Sequence, residues 1–319
     1  MKVVILANGN FAAPALEAIA SSSHEAAALF VFPIRGKTRK KTELSAVRQI
    51  AQNHSIPVVD LADINTPEGI ELLESFAPDI LFICDYGKIL HPDVIKTARF
   101  GGVNLHGSLL PRYRGAAPVH RAILAGETIF GVSVIHIVPQ VDAGPVILSA
   151  KDPVSYNLTE QQTVIEIEER LSRLGAPLVL QAFDLIASGN ARPLTQNHSQ
   201  ATKAPKIRKE EGRIDWSQTM HEIINQYRAF QPWPKTFSDW TRVDKPPMRL
   251  ILGPFTRTSL TPPEETKFGE VVRSKEGRLL IRCGDGVIQV DQIQPAGKRV
   301  MTGREFLIGY RMAAGEVFC

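Results

Sequence analysis

Asn104 and His106 stand two residues apart in Gly102-Val-Asn-Leu-His-Gly-Ser-Leu-Leu-Pro-Arg-Tyr-Arg-Gly115, the stretch of this 319-residue chain richest in residues that can do chemistry. Val103 and Leu105 alternate with them, the period of a buried strand, so the amide and the imidazole project from one face. An amide N–H placed there can donate to a developing oxyanion, and an imidazole can give or take a proton near neutral pH. A histidine used in this way needs a carboxylate to orient it. Asp142, in Gln140-Val-Asp-Ala-Gly144, is the best-placed candidate: the 36 residues between the two (142 − 106) accommodate one helix and one strand, enough to bring the loop back beside His106. Spacing alone equally permits a hydrogen-bonded core pair with no chemistry. Asp85-Tyr86-Gly87 ends the preceding apolar run and would open on the same crevice. Gly107, Pro111 and Gly115 break the strand into a shaped loop. Ser108, Leu109, Leu110 and Pro111 read either as a plain turn or as a loop lining a pocket, and Ser108 lacks the G-x-S-x-G elbow of a nucleophile. The remaining histidines, at 24, 54, 91, 120, 136, 198 and 221, show no metal spacing and read as surface or structural residues. No metal is expected.

The elements that must carry these residues follow from the apolar pattern. Short apolar runs at 2–7, 27–32, 57–59, 79–84 and 102–105 are bounded by turn residues, as in strands buried on both faces. Helical spacing fills the gaps at 11–22, 44–52, 67–76 and 92–97, with Thr66 as an N-cap before Pro67. After the loop come a helix at 116–125, strands at 131–137 and 146–149, and a long amphipathic helix from Thr159 to about Ile186. That helix would hold Glu166, Glu168, Glu169 and Arg170 on its wet side. Alternating strands and helices predict an α/β domain with a doubly wound, mostly parallel sheet. Such sheets place their chemistry at the carboxyl ends of the strands. The first turn has Gly9 but no G-x-G-x-x-G, so no dinucleotide cofactor is indicated.

Length favours two domains. A polar, Gly/Pro/Lys-containing stretch at 189–212 reads as a linker between a first domain, 1–188, and a second, 213–319. In the second, prolines punctuate short apolar runs at 250–251, 269–272, 279–282 and 287–290. These read as a small antiparallel barrel or sandwich, with helices at 219–230 and 302–310. Hydrophobic residues make up 44% of the chain, ample for two cores, yet no run approaches the roughly 18 apolar residues of a membrane span, and none is expected. The first residues read as a strand and turn rather than a signal peptide. Cys84, Cys283 and Cys319 form no disulfide or metal pattern, which points to the cytoplasm.

Net charge is +4, unevenly spread. Residues 203–319 hold 20 Lys/Arg and 14 Asp/Glu (+6), and residues 1–202 hold 17 and 19 (−2). A basic loop at Arg35, Lys37, Arg39, Lys40 and Lys41 follows the second strand. This pattern suits a polyanionic partner, although many solvated protein faces are also basic.

At these residues the chain resembles the folate-dependent formyltransferases. Asn104-Leu-His-Gly-Ser-Leu-Leu-Pro-Arg-Tyr-Arg-Gly-Ala-Ala-Pro118, the Asp142-Ala-Gly144 loop, Asp85-Tyr-Gly-Lys-Ile-Leu90, Arg213-Ile-Asp-Trp216, Arg228-Ala-Phe-Gln-Pro-Trp-Pro234 and Gln294-Pro-Ala-Gly-Lys298 carry the likeness. It spans nearly the whole chain and is greatest to the members that act on methionyl-tRNA. The resemblance implies a Rossmann-like domain followed by a smaller, OB-like C-terminal β-barrel. It implies 10-formyltetrahydrofolate as formyl donor and the amino group of methionyl-initiator tRNA as acceptor. Asn104, His106 and Asp142 would then be catalytic. Ser108, Leu109, Leu110, Pro111, Asp85, Tyr86 and Gly87 would bind folate. The basic loop, with Lys206 and Lys209, would bind tRNA, and the protein would act as a monomer. The chain departs from the family pattern at Ala7-Asn-Gly-Asn-Phe11, where Gly-Thr-Pro-Asp-Phe is usual, and at Pro145, where Asp is usual. Alternatives are a formyltransferase acting on a 4-amino sugar nucleotide, a hydrolase using water in place of the amine, and a folate- or RNA-binding protein without catalysis.

Overall fold

The structure, a computed structural model, describes residues 1–33, 45–153, 162–242, 245–272, 274 and 276–319. The described residues fall into two compact units. The first draws on Met1–Val119, Ile129–Ser155 and Ile167–Lys206, and the second on the remainder.

The first unit is built on a seven-stranded sheet. Its elements are β1 (Lys2–Ala7), α1 (Ala13–Ala20), β2 (Glu25–Val31), α2 (Ala46–Asn53), β3 (Val58–Asp60), α3 (Pro67–Ser75), β4 (Ile80–Cys84), α4 (Pro92–Lys96), β5 (Gly102–His106), α5 (Pro118–Leu124), β6 (Gly131–His136), β7 (Val146–Lys151) and α6 (Val164–Ala187). Strand order is β3-β2-β1-β4-β5-β6-β7. The first five strands run parallel, and β6 and β7 are antiparallel additions at the β5 edge. The uninterrupted apolar runs of β1 and β4 are fully buried, as expected for strands covered on both faces. On one face Phe30, Leu81 and Ile83 pack with Leu73 of α3 and Val94 of α4. On the other, Phe183 of α6 meets Phe82 edge-to-face, with ring centroids 6.3 Å apart. The side chain of Thr66 accepts the Gly69 N–H and starts α3, the expected cap. Strand order reverses between β2 and β4 about β1, which opens a crevice at the carboxyl ends of β1 and β4.

The polar stretch after α6 differs from the expected free connector. Leu194 pairs antiparallel with Val146, and Lys203 pairs parallel with Arg114. Ala204 donates to Arg114 O and accepts from Ala117. Composition missed this because the contacts are made by backbone, which any polar sequence supplies.

The second unit contains α7 (Met220–Ala229), β8 (Phe237–Arg242), β9 (Lys245–Leu252), β10 (Phe255–Arg257), β11 (Val271–Val272), β12 (Leu280–Cys283), β13 (Gly286–Val290), β14 (Gln292–Pro295), β15 (Met301–Thr302) and α8 (Gly303–Tyr310). Two four-stranded antiparallel sheets, β10-β13-β12-β11 and β15-β14-β9-β8, share a core of Trp216, Trp240, Phe255, Phe306 and Phe318. The chain passes from one sheet to the other at Gly253–Pro254 and at Asp291, where Gly253 N–H donates to Gln292 O and Asp291 N–H to Pro254 O. At the opposite side Phe318 bridges to Trp240 and Val317 to Glu270, so the two sheets close on each other. The sequence reading found β11, β12 and β13 but missed β8, β14 and most of β9. Ser238 and Asp239 interrupt the apolar pattern of β8. Pro246 and Pro247 lie in the part of β9 that runs beyond β14, where no partner on that side needs their missing N–H.

The Phe82–Phe183 contact generates a stability prediction. Phe183→Ala should cost about 3–5 kcal/mol, read by circular dichroism during urea unfolding. A loss below about 1 kcal/mol would mean that α6 is held by other contacts.

Candidate active site

Asn104 and His106 sit at the carboxyl end of β5, and the loop between β6 and β7 returns Asp142 to them. His106 is 5% exposed. Its Nε2 lies 2.9 Å from Tyr113 O. A carbonyl only accepts, so Nε2 carries the proton. Nδ1 then faces Asp142 Oδ2 at 3.6 Å, an ion-pair distance rather than a hydrogen bond. Asp142 Oδ2 accepts the Gly115 N–H at 2.8 Å, and Oδ1 accepts one N–H of Asn104 at 3.4 Å. The second amide hydrogen of Asn104 is left for a ligand. The gathering that strand period and loop spacing suggested is therefore real in space.

Asp142 holds a left-handed backbone, φ 50°, and needs bracing to stay there. The brace is Gln196, 5% exposed. Its Nε2 donates to Asp142 O at 2.8 Å and to Gly144 O at 2.7 Å, while its Oε1 accepts from Arg114 Nε and Nη2. Arg114 also reaches His198 Nδ1 at 3.2 Å. Arg114 thus tightens the loop rather than standing free at a rim. Gly144 has no room for a side chain, since a Cβ would come 1.7 Å from His136 O. Gln196 was missed because it lies in the stretch read as a linker, and its sequence neighbourhood carries no signal of burial.

These residues open on a cleft of about 480 Å³, a size suited to a small-molecule ligand. Tyr86, Ile89, Leu90, Val138, Pro139 and Val141 give it apolar walls, and Asp85, Gly87, Lys88 and Glu168 join Asn104, His106 and Asp142 in the lining. Asp85, Tyr86 and Gly87 thus lie where expected. Ser108, Leu109, Leu110 and Pro111 are not in this wall, which differs from the reading of that loop as pocket lining. Ser108 Oγ donates to Arg112 O at 2.7 Å, and Ser133 Oγ donates to Ser108 O and accepts from Leu110 N–H. Leu109 packs onto Gly131 of β6. Their polar and apolar groups are spent on closing the turn beneath the site. Arg35, Lys37, Arg39, Lys40 and Lys41 lie outside the described residues, and Lys206 and Lys209 are exposed.

The unusual first turn proves to be built around the cleft. Asn8 Nδ2 donates to Tyr86 O at 3.0 Å and its Oδ1 accepts the Phe32 N–H at 2.7 Å, which ties the ends of β1, β2 and β4 together. Gly9 has an ordinary extended backbone, yet a Cβ there would lie 2.2 Å from Asp85 Oδ2. Glycine is required for space alone.

Glu168 was expected on the wet side of its helix but lies half-buried in the cleft wall. Its register with buried Val164, Leu171 and Gly175 is a signal that could have placed it. Burial, then the neighbouring charge of Asp85, push its carboxyl up to about 7. Asp85 is open to the cleft on one side and enclosed on the others. Its desolvation raises it too, opposed by the Phe11 N–H and by His106. Burial, then Asp63, push the Tyr86 hydroxyl up to about 12.

Amide, imidazole and carboxylate at the switch point of a parallel sheet, beside an apolar cleft, define a site for moving a carbonyl-containing group onto a nucleophile through an oxyanion. The chain belongs to the formyl transferase family, matching it over residues 1–182 and matching the formyl transferase C-terminal domain over residues 206–311. Over 328 residues it is 40% identical to a protein of Rhodopirellula baltica named methionyl-tRNA formyltransferase, covering 99% of this chain and 96% of that one. A protein of the same name from Moorella thermoacetica is 35% identical over 319 residues, 99% of each. Among solved structures, WlaRD, a sugar 3N-formyl transferase, superposes with a TM-score of 0.61 at 18% identity, covering 94% of this chain and 99% of that one. HypX from Aquifex aeolicus gives 0.61 at 18% identity, covering 96% of this chain and 48% of its own. At such identity the two structures speak to the fold alone.

Two substitutions test the supports of the site. Gly9→Ala should destabilise by about 1–3 kcal/mol, and the loss should shrink in an Asp85→Ala background. Additive losses in the unfolding free energy of the double mutant would show that Gly9 does not answer to Asp85. Gln196→Ala removes the shared donor of two loop carbonyls. It should lower turnover roughly 10- to 100-fold through misplacement of Asp142, and an unchanged kcat would remove Gln196 from the site.

Proposed function

We propose that this protein transfers the formyl group of 10-formyltetrahydrofolate to the amino group of methionyl-initiator tRNA. The observation that carries this reading is the meeting of Asn104, His106 and Asp142 at one cleft. They meet in a chain that aligns end to end with proteins named methionyl-tRNA formyltransferase. The apolar walls around Tyr86, Leu90, Val138 and Pro139 suit the flat, largely apolar body of a folate, and Asp85, Tyr86 and Gly87 form part of its seat. Ser108–Pro111 would serve that seat from beneath by holding its loop.

In this reading the neutral amine attacks the formyl carbon and negative charge grows on the formyl oxygen. The free N–H of Asn104 donates to that oxygen, an interaction worth about 3 kcal/mol when preorganised. With Nε2–H held by Tyr113 O, His106 offers the lone pair of Nδ1 to a proton of the attacking nitrogen. Asp142 stabilises the imidazolium so formed and, held by Gly115 and Gln196, fixes its position. His106 then returns the proton to the departing folate nitrogen, the general-acid half of the same act.

The first unit, with α6, would form the catalytic domain, 1–188. Residues 213–319, joined through 189–212, would form the tRNA-binding barrel. Lys206, Lys209 and the basic loop at Arg35, Lys37, Arg39, Lys40 and Lys41 would grip phosphates, contacts that weaken with salt. The protein would act as a monomer in the cytoplasm. Among the described residues no helix is long and apolar enough to cross a membrane, and no group of three or more His, Cys, Asp or Glu side chains could hold a metal ion.

One experiment separates the acceptors: the protein is incubated with 10-formyltetrahydrofolate and methionyl-tRNA, a 4-amino sugar nucleotide, or water alone. Formylation of the tRNA is expected, and formylation confined to the sugar would overturn the reading. Asn104→Ala and His106→Ala should each lower turnover by about 10²–10³. Asp142→Asn should reduce kcat strongly while folate binding, followed by fluorescence titration, changes little. Near-normal transfer by these variants would sink the assignment.

A further inference from the structure

An α-ammonium carries three N–H bonds, and the amide formed from it carries one. The leaving folate nitrogen takes back a single proton. One of the two protons lost by the acceptor therefore has no destination in the Asn104, His106 and Asp142 set. It must also leave first, because an ammonium has no lone pair with which to attack.

The structure places two further carboxylates at the same cleft. Asp85 ends β4, its carboxylate accepting the Phe11 N–H and occupying the space that Gly9 leaves open. Glu168 reaches the cleft from α6. That helix packs on β5 through Gly175, where a Cβ would come 2.7 Å from Leu105, and seven residues, two turns, run back from there to Glu168. The two acids are close enough for the charge of Asp85 to act on Glu168, and for His106 to act on Asp85. We infer that Asp85 and Glu168 form a proton-sharing carboxylate pair that takes the first proton from the acceptor's ammonium group. This rests on the formyl-transfer reading above and extends it to the step before attack.

The charges around the pair support the assignment. From β5 it faces His106, and from the β6–β7 loop Asp142. From the segment after β4 it faces Lys88, whose Nζ is held by Asp63 at 2.8 Å. The turn after β1 offers the neutral Phe11 N–H. Negative charge therefore prevails, and an ammonium is drawn in. Two acids in a partly dehydrated cleft do not both ionise readily, so the pair keeps a proton in the neutral range and titrates as a unit. Burial and Asp85 hold Glu168 at about 7, close to the ordinary α-amino value of about 8. The transfer is then nearly balanced in either direction. In the step itself an N–H bond breaks and a carboxyl O–H bond forms, and the nitrogen keeps the electron pair. That pair makes the bond to the formyl carbon. As the bond from that carbon to the folate nitrogen breaks, the second proton travels through His106 to the leaving nitrogen. The carboxyl pair discharges the first proton to water at the cleft mouth.

The test is the pH profile of kcat/KM for wild type, Glu168→Gln and Asp85→Asn. It is read on whichever amine the wild type formylates, together with carbon-13 carboxyl NMR of the unliganded protein. Glu168→Gln should be about 10- to 100-fold slower near pH 6.5, with the deficit closing above about pH 8.5, where the amine arrives neutral. A carboxyl signal titrating near neutrality should be present in wild type and absent from Glu168→Gln. Profiles lowered equally at every pH would indicate a structural role and overturn the proposal, as would the absence of any near-neutral carboxyl. If only the sugar amine is formylated, the tRNA reading falls while the pair is tested unchanged. If the donor is only hydrolysed, both fall.

Discussion

The position of one carboxylate, Asp142, depends on more of the chain than any other group in the site. Its two oxygens are shared between the Gly115 N–H, Asn104 and the Nδ1 edge of His106, and its own carbonyl is held by Gln196. The loop that presents it adopts a left-handed turn at Asp142 and passes His136 so closely at residue 144 that only glycine fits. A short charged side chain on a strained loop holds its geometry only when the surroundings over-determine it. Here that over-determination comes from β5, the 107–115 loop and the 194–204 strap at once. Arg114 joins them by holding Gln196 in place.

Desolvation links this geometry to the chemistry. The cleft is apolar enough to raise the carboxyls of Asp85 and Glu168, yet Asp142 is furnished with donors. Three acids within one cleft thus have different tasks imposed by what surrounds them, the usual way in which one set of side chain types supplies both stabilising charge and proton transfer near pH 7. The Gly9–Asp85 contact shows the same economy of space. A small residue in the first turn makes room for an acid at the end of the neighbouring parallel strand.

Much of this was legible without coordinates. The parallel strands announce themselves as unbroken apolar runs, because strands covered on both faces have no wet side to alternate with. The pairing of Asn104 with His106 follows from a strand period of two. What was less legible is instructive. Glu168 looked solvated because glutamate usually is, although it shares a stripe with Val164, Leu171 and Gly175. Ser108–Pro111 looked like pocket lining because the loop follows the catalytic strand, but its groups turn inward to Ser133 and Arg112. Strands β8 and β14 were hidden because their buried positions include serine, and in β14 proline, and carry no simple alternation.

By itself, then, the sequence determined the α/β class, the strand that bears Asn104 and His106, and the acid that must join them, since periodicity and residue chemistry are local properties. Tertiary structure alone decided that the polar stretch after α6 is a strap on the Asp142 loop, that Gln196 braces it, and that Asp85 and Glu168 share a cleft. Those relations join residues 54 apart for Gln196 and Asp142, and farther still for Asp85 and Glu168. They depend on backbone hydrogen bonds and on burial, and neither is written in the identity of a single residue.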